Sequence, residues 1–230
     1  MIVRPLRPSD LEQSSKLHRD ILSTEFLARG GTRFLRQYHR AWIETADCLA
    51  LAAVDDQDGI VGVLLGSTSP NRHYRAMLRH HGFGLAFLLL IQALRDPSFG
   101  RELVATRTFR YARGALRSLL SGLSDLLTWR RRDRERWEGS GHFGVNDRIG
   151  EITHVMVSEE MTGRGIGKAL LEQARIAAEQ AGLDELVLVT MPELPSQTFY
   201  EHLGWRRVGE RISRSGEAFV EFRLPLRSPG

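Results

Sequence analysis

Cysteine is nearly absent from this sequence: Cys48 is the only one among 230 residues. It can form no disulfide within the chain and cannot anchor a cysteine-based zinc cluster, so we expect a reducing compartment. The start, MIVRPLRPSDLEQ, lacks the apolar core of a secretory signal, which favours a cytoplasmic protein. The longest apolar run, residues 83–94, is too short to cross a bilayer and is typical of a buried or interfacial helix.

Lysine is absent from residues 69–148, where 15 arginines face 7 acidic residues, a balance of +8. The rest of the chain has 17 basic and 21 acidic residues. The basic charge is therefore local, and either a polyanionic partner or plain solvent would face it. The segment is far longer than a structureless loop, so we predict a helical insertion. Helices are expected near 75–95 and 100–128, the second from leucines at helical spacing: Leu116, Leu119, Leu120, Leu123, Leu126 and Leu127.

The remaining residues alternate between strand and helix patterns, which predicts one domain over 1–230. Before the insertion we expect a strand at IVRPL, two helices (the first capped by Ser9 or Asp10, the second at 32–45) and an antiparallel hairpin. After it we expect a strand at EITHVMVS, a helix at 166–181 ended by Gly182, a strand at DELVLVTM, a short helix closed by Gly204 and a last hairpin.

Three glycines, Gly163, Gly165 and Gly167, stand where the predicted strand passes into the 166–181 helix. Glycine permits positive φ and close approach of a ligand to the backbone. A nest of amides that opens a helix binds phosphate, and Arg164 and Lys168 would add positive charge. The spacing matches neither a Walker A loop nor a dinucleotide fingerprint. Taken alone, the stretch fits a phosphate loop and a plain glycine-rich turn equally well.

The surroundings of this loop resemble the GNAT N-acetyltransferase superfamily, mainly over residues 151–205. Gly165 and Gly167 fill the small positions of the family motif Arg/Gln-x-x-Gly-x-Gly/Ala, and FYEHLGWRRVGE is similar to its later Tyr-Glu-x-Leu-Gly-Phe segment. The resemblance implies an α/β (α+β) fold with a mixed, mostly antiparallel central sheet flanked by helices. Two positions depart from the motifs: Thr162 replaces the Arg or Gln, and Glu193 replaces a frequent Asn.

The resemblance implies acyl-CoA-dependent transfer of an acetyl group to a primary amine, with acetyl-CoA as co-substrate. The exposed backbone of the central strand, Val155, Met156 and Val157, would pair with the pantetheine arm. The diphosphate would lie on the amides of the glycine loop, namely Thr162, Gly163, Arg164, Gly165, Ile166, Gly167 and Lys168. No metal is expected.

Candidate catalytic residues follow from the same resemblance. Glu151, at the start of the central strand, matches a glutamate that histone-acetylating members use as a base. His154 is a second candidate base, and strand alternation places the two on opposite faces. The amide of Val155 or Met156 would stabilise an oxyanion. Tyr200 matches the family tyrosine that serves as general acid, whereas Phe199 is expected in the core.

The acceptor cannot be identified from the sequence. Arginines of the insertion would suit a phosphate or carboxylate, as on an amino sugar or nucleotide-linked sugar. Peripheral membrane attachment and a dimerisation or scaffold role for the insertion stay open. His73, His80 and His81 are interpreted as surface histidines. An alternative function is a non-catalytic acyl-CoA-binding module whose insertion binds an anionic membrane or nucleic acid. The insertion has few aromatic residues on which bases could stack, which disfavours nucleic acid.

Overall fold

A computed structural model describes residues 1–104, 148–193, 196–212 and 218–226. The strands are β1 (Ile2–Pro5), β2 (Cys48–Val54), β3 (Ile60–Ser67), β4 (Ile149–Val157), β5 (Glu185–Thr190), β6 (Arg206–Ile212) and β7 (Ala218–Pro225). The helices are α1 (Leu11–Ile21), α2 (Phe26–Arg29), α3 (Thr32–Glu44), α4 (Pro70–Arg95), α5 (Pro97–Leu103), α6 (Ile166–Gln180) and α7 (Ser196–His202).

The seven strands form one sheet in the order β1-β2-β3-β4-β5-β7-β6. Only β4 and β5 are parallel, and every other neighbouring pair is antiparallel. The predicted mixed, mostly antiparallel sheet is confirmed, and so are both hairpins. The prediction of a single domain over 1–230 also covers residues outside those described, so it stays a prediction.

Helices cover both sides of the sheet, and each side has its own apolar cluster. On one side, α6 buries Ile166, Leu170 and Ala174 against β3–β5 and β7. On the other side, α1, α3 and α4 pack on β2–β4, with Leu35 and Trp42 of α3 fully buried. Because the two clusters share the central strands, β4 is held from both sides.

The described part of the insertion is helical. α4 begins at Pro70, earlier than predicted, and extends for 26 residues; by length and composition alone it could cross a membrane. The apolar run at 83–94 underestimates the length of this helix, because the more polar residues before it belong to the same helix. Most of the second predicted helix, including its leucines, lies outside the described residues. A stripe on α4 is solvent-exposed among the described residues: Phe83, Phe87, Leu90 and Leu94.

His73 is not a surface histidine, so that interpretation was wrong. Its ring is fully buried and stacks on Trp42 with ring centroids 4.2 Å apart, and its Nδ1 lies 3.3 Å from the Ala46 carbonyl oxygen. It falls on the α4 face that also buries Met77, at the i+4 spacing of a helix. His80 is exposed and His81 is partly buried.

Candidate active site

β4 and β5 diverge halfway along their length. They pair only from Ile149 with Glu185 to Ile152 with Leu188, although β4 continues to Val157. Beyond that point, β4 has no strand partner on this edge among the residues the structure describes. An unpaired strand edge presents free amides and carbonyls, so this gap can accept an extended ligand by backbone pairing.

The direction of the β4 amides distinguishes Val155 from Met156. The Ser158 amide donates to the Val61 carbonyl of β3 at 3.0 Å. Residues of an antiparallel pair alternate between those that bond each other and those that face away, so the Met156 amide also points to β3. The Val155 and Val157 amides then point into the gap. Of the two predicted oxyanion donors, only Val155 has a suitably directed amide.

The glycine loop joins β4 to α6 and exposes a row of amides. Gly163 and Gly165 both have φ of 78°, a left-handed conformation that only glycine adopts readily. The first helical bond runs from the Ala169 amide to the Gly165 carbonyl at 2.9 Å. None of the six preceding amides, from Gly163 to Lys168, donates to another described residue. Together they form an anion-binding concavity at a helix N-terminus.

Two expectations about this loop need correction. The Thr162 amide donates to the Glu159 carbonyl at 3.1 Å, so Thr162 shapes the loop and its amide is not available to a diphosphate. Phe199 is not a core residue: 36% of it is exposed. Its ring lies where a side chain on Gly167 would begin, with its Cζ 3.2 Å from an added Cβ. A side chain at Gly167 would therefore have to displace the Phe199 ring slightly, so this glycine favours close packing, whereas Gly163 and Gly165 are favoured by their positive φ.

A β-bulge in β4 reverses its side-chain alternation. Leu65 of β3 lies opposite His154, and the next residue, Gly66, lies opposite Ile152, so Thr153 is an extra residue in β4. Such a bulge shifts all later side chains to the other face. Consistently, Ile152 and Val155 pack in the same cluster, on the α6 side, although they are three positions apart and would face opposite sides of a regular strand.

The prediction that Glu151 and His154 lie on opposite faces was therefore wrong. Burial, and then the nearby charge of Glu151, raises the pKa of the Tyr74 phenol in α4, and His154 lies 3.2 Å from the hydroxyl of Tyr38 in α3. Both tyrosines belong to the side of the sheet covered by α1, α3 and α4. The bulge adds one residue between the two candidate bases, and this extra residue places both side chains on the same face of the sheet.

Glu151 has the properties of a general base. Only 6% of it is exposed, and its Oε2 finds no hydrogen-bond partner among the described residues. Burial raises the pKa of the Glu151 carboxyl to about 7. A pKa near the working pH is what proton abstraction requires, and an unpaired buried oxygen leaves an acceptor for the proton.

His154 is placed differently. Its Nε2 contacts the Tyr38 hydroxyl, and its Nδ1 lies 3.9 Å from a Glu25 carboxylate oxygen. Burial, and then the nearby His18 and His39, hold the pKa of the His154 imidazole well below its usual value. A neutral ring already held by neighbours is a poor proton acceptor, so Glu151 is the better candidate.

Tyr200 lies in the α6-side cluster, against Trp205 and Phe222. Burial raises the pKa of its phenol to about 12, so the hydroxyl is protonated at neutral pH and can donate. The hydroxyl makes no hydrogen bond to any described residue. This arrangement fits a general acid, and the aromatic contacts explain why the ring also anchors α7.

Sequence reasoning missed the polar residues around His154. His18 and His39 are fully buried, and Glu25 stands before α2. The sequence pattern predicts Leu11, Leu17 and Ile21 as the apolar residues of α1; Leu11 is buried and the other two only partly, while the helix also buries Ser14, Ser15 and His18. These four follow the i, i+3, i+4, i+7 spacing of one helix face, so helical spacing that includes small and polar residues would have found His18.

A basic cavity of about 650 Å³ opens at the end of β3, next to the residue that pairs with Glu151. The first turns of α4 line it with Arg72, Arg75, Arg79 and His80. Arg72 pairs with Asp47, whereas Arg75 and Arg79 form no ion pair with a described residue. The cavity can therefore bind an anionic group.

Comparisons with known proteins agree with this geometry. Residues 127–205 match the Acetyltransferase (GNAT) family. No curated protein sequence matches the chain significantly.

Solved structures share the fold at low identity. An aminoglycoside 6'-N-acetyltransferase complexed with coenzyme A has a TM-score of 0.57 and 13% identity, covering 100% of this chain and 99% of its own. The ribosomal-protein-S18-alanine N-acetyltransferase from Escherichia coli has a TM-score of 0.54 and 11% identity, covering 100% and 96%. A PaiA N-acetyltransferase from Thermoplasma acidophilum, in complex with coenzyme A, has a TM-score of 0.51 and 13% identity, covering 97% and 98%. The resemblance to the GNAT superfamily is confirmed.

Proposed function

The chain resembles the GNAT acetyltransferases in sequence and in fold, and from this premise we propose that it transfers the acetyl group of acetyl-CoA to a primary amine of a small molecule. The observation that carries the proposal is the buried, unpaired Glu151 on the strand whose open edge leads to the glycine loop. Two solved relatives of the same fold are complexes with coenzyme A.

The residues present fit the co-substrate. The six free amides from Gly163 to Lys168 would bind its diphosphate, with Arg164 and Lys168 adding charge. The open edge at Val155 and Val157 would pair with the pantetheine arm. When bound, acetyl-CoA supplies an activated acyl group as a thioester.

The reaction requires proton transfers that these side chains can perform. Glu151 takes a proton from the acceptor ammonium, directly or through water, since an amine with a lysine-like pKa is charged at neutral pH. The Val155 amide donates to the acyl oxygen as negative charge develops there. Tyr200 donates its phenol proton to the departing sulfur, and the second proton lost by the amine replaces it.

We further propose that the acceptor has a phosphate or carboxylate, as an amino sugar or nucleotide-linked sugar would. The basic cavity supports this, because Arg75 and Arg79 have no ionic partner among the described residues. A charged hydrogen bond contributes about 1.5–3 kcal/mol, which would favour anionic amines by about 10–100-fold. Cytoplasmic location and a homodimer stay predictions.

Thiol release from acetyl-CoA with a panel of amines tests the function. We expect turnover, with amines that bear a phosphate or carboxylate preferred over neutral counterparts. Arg75→Ala with Arg79→Ala should remove this preference and lower kcat/KM by about 10–100-fold. The matched control is Arg206→Ala, an exposed arginine on the edge strand β6. Equal losses of kcat/KM in the double variant and in the Arg206→Ala control would contradict an acceptor that bears a phosphate or carboxylate.

The rival function is separated by the same measurements. A non-catalytic module would bind acetyl-CoA in calorimetry yet release no thiol with any amine, and would bind polyanions in a salt-sensitive way. No binding of acetyl-CoA at all would overturn both functions.

Tyr200→Phe should lower kcat by about 10²-fold, because the departing sulfur loses its proton donor. Stability should change little, since the hydroxyl has no hydrogen-bond partner among the described residues. An acetyl donor with a more acidic thiol should recover much of the lost rate, since its leaving group needs less protonation. If the variant loses activity equally with both donors, Tyr200 is a structural residue.

A further inference from the structure

Among the described residues, a largely buried group of side chains that includes His154, the less suitable of the two candidate bases, has the composition of a metal site. His18 of α1, His154 of β4 and Glu25 each offer a ligand atom, and these three atoms lie within 4.8 Å of one another. His18 Nε2 lies 4.0 Å and His154 Nδ1 lies 3.9 Å from the same oxygen, Oε2 of Glu25. The three residues come from three separate elements, so the tertiary fold brings them together.

The second observation is an orphaned nitrogen. His18 is fully buried, and its Nε2 has no hydrogen-bond partner among the described residues. An unsatisfied buried polar atom costs about 1–3 kcal/mol, so a group that satisfies it would stabilise the fold. Nε2 is also the ring atom on the side of Glu25, where an ion would lie.

We propose that His18, His154 and Glu25 bind one divalent transition-metal ion of the zinc class. Two imidazoles and one carboxylate form a ligand set that zinc uses when a fourth position is left to water. The inference does not depend on the proposed acetyl transfer, and the sequence alone gave no reason to expect a metal.

The outer contacts of the two rings support this assignment. His18 Nδ1 lies 2.9 Å from His39 Nε2, and His39 Nδ1 lies 3.0 Å from the Ser14 hydroxyl. His154 Nε2 lies 3.2 Å from the Tyr38 hydroxyl. Metal-binding imidazoles usually donate their other N–H to a fixed acceptor in this way, which orients the ring.

The protons of this chain can be placed without conflict. With His18 Nε2 and His154 Nδ1 left as lone pairs for the ion, His18 Nδ1–H donates to His39, and His39 Nδ1–H donates to Ser14. His154 Nε2–H donates to the Tyr38 oxygen. Both free lone pairs then lie on the side of Glu25.

The two distances to the Glu25 oxygen require only a small adjustment, and the two ring nitrogens, which lie within 4.8 Å of each other, would also move closer together. Zinc–ligand bonds of about 2.0–2.2 Å in a tetrahedron separate neighbouring ligand atoms by about 3.3 Å. The observed 3.9 and 4.0 Å would close by roughly 0.6 Å through side-chain rotation. Glu25 is the ligand with room to move, because 29% of its side chain is exposed. A bound ion would tie α1 and the start of α2 to β4, one residue before Val155.

The test is metal binding by the full chain after treatment with a chelator. We expect one Zn²⁺ per chain by calorimetry, with a Kd below about 1 µM, and a higher Tm with the ion, since ligand that binds only the folded state stabilises it. Co²⁺ in the same site should give the visible absorption of a four-coordinate ion. None of these three readouts uses catalytic activity.

Glu25→Gln is the decisive variant because the residue is partly exposed and its replacement should fold. It should weaken Zn²⁺ binding by at least about 100-fold, and His39→Gln, which loses an outer contact, by about 10–100-fold. His80→Gln and Glu160→Gln, both exposed, are the controls and should bind as the wild type does.

Three results would overturn the proposal. One is no heat and no Co²⁺ absorption at millimolar metal, which would leave the group as a metal-free hydrogen-bond network. Another is an affinity that Glu25→Gln does not change, which would place an adventitious ion elsewhere on the protein. The third is an equal loss of affinity in the exposed controls. Failure of the metal site would leave acetyl-CoA binding intact, so the two proposals are judged separately.

Discussion

Glu151→Gln is expected to lower kcat by about 10²–10⁴-fold while the affinity for acetyl-CoA stays unchanged. Glutamine keeps the size of the side chain and removes the proton acceptor. The proposed acetyl-CoA contacts are backbone amides of the glycine loop and the β4 edge, which this substitution leaves alone. Thiol-release kinetics and calorimetry with acetyl-CoA measure the two quantities separately.

The pH dependence gives a second readout for the same residue. Burial raises the pKa of Glu151 to about 7, so the carboxyl is protonated and inactive below that pH and becomes a base above it. The kcat/KM of the wild type should therefore rise as pH increases through about 7. The residual activity of Glu151→Gln should lack this limb. If the limb persists, another group is the base.

Stability should change in the opposite direction from activity. A carboxyl whose pKa rises from 4.5 unfolded to about 7 folded holds its proton more tightly in the native state. Folding stability then falls as pH rises from about 4.5 through 7, and above pH 7 the ionised group costs roughly 3 kcal/mol. Glu151→Gln should be more stable than the wild type at pH 8, with the difference shrinking towards pH 5. Denaturant titrations at both pH values measure it.

Glu221→Gln is the matched control for these experiments. Glu221 is a fully buried strand glutamate outside the site, and it forms ion pairs with Arg211 and Arg223. Glutamine keeps the size of the side chain but loses the charge-assisted bond from the Arg223 guanidinium, which is expected to cost about 1.5–3 kcal/mol because both arginines stay partly exposed. This variant should therefore lose stability and keep its kcat at a temperature where it is folded. A stabilised, inactive Glu151→Gln beside a destabilised, active Glu221→Gln would assign Glu151 to catalysis.

The sequence predicted the features that depend on repeated apolar residues or on the ability of glycine to adopt a positive φ. Alternating apolar runs predicted the hairpins, and Gly182 and Gly204 marked helix ends that do have positive φ, at 74° and 83°. The one-residue bulge in β4 could not be predicted in this way. It depends on how β3 and β4 pair in space, and it places the side chains of Glu151 and His154 on the same face of the sheet, where regular alternation predicts opposite faces.

Buried polar residues were the other failure, and its cause is also physical. Apolar periodicity identifies a helix face by its leucines, so a histidine on that face is assigned to the surface. His73 and His18 are buried because aromatic stacking or a hydrogen-bond chain accommodates their rings. Those partners are distant in sequence and become visible only in the fold. The candidate metal ligands therefore had no local signature.

Gly165→Ala should weaken acetyl-CoA binding by about 10²-fold with little change in kcat at saturating co-substrate. A side chain at φ of 78° costs about 1–2 kcal/mol, and relief of this strain would rotate the neighbouring amides. Hydrogen bonds from backbone amides to a charged diphosphate contribute about 1.5–3 kcal/mol each. One or two misdirected amides would therefore account for the expected loss of affinity. Calorimetry with acetyl-CoA measures the affinity.

Gly182→Ala provides a control at the other end of α6. Gly182 has φ of 74°, and like Gly165 it has no atom within 4 Å of an added Cβ, so both variants incur the same backbone strain without a clash. The Tm of both variants should therefore fall by a similar amount, about 2–8 °C for a chain of this length. Only Gly165→Ala should lose affinity, because only its amides belong to the anion-binding concavity. Equal affinity in the two variants would mean that the diphosphate does not bind at the N-terminus of α6, and the open edge of β4 would then have no anchored ligand to align.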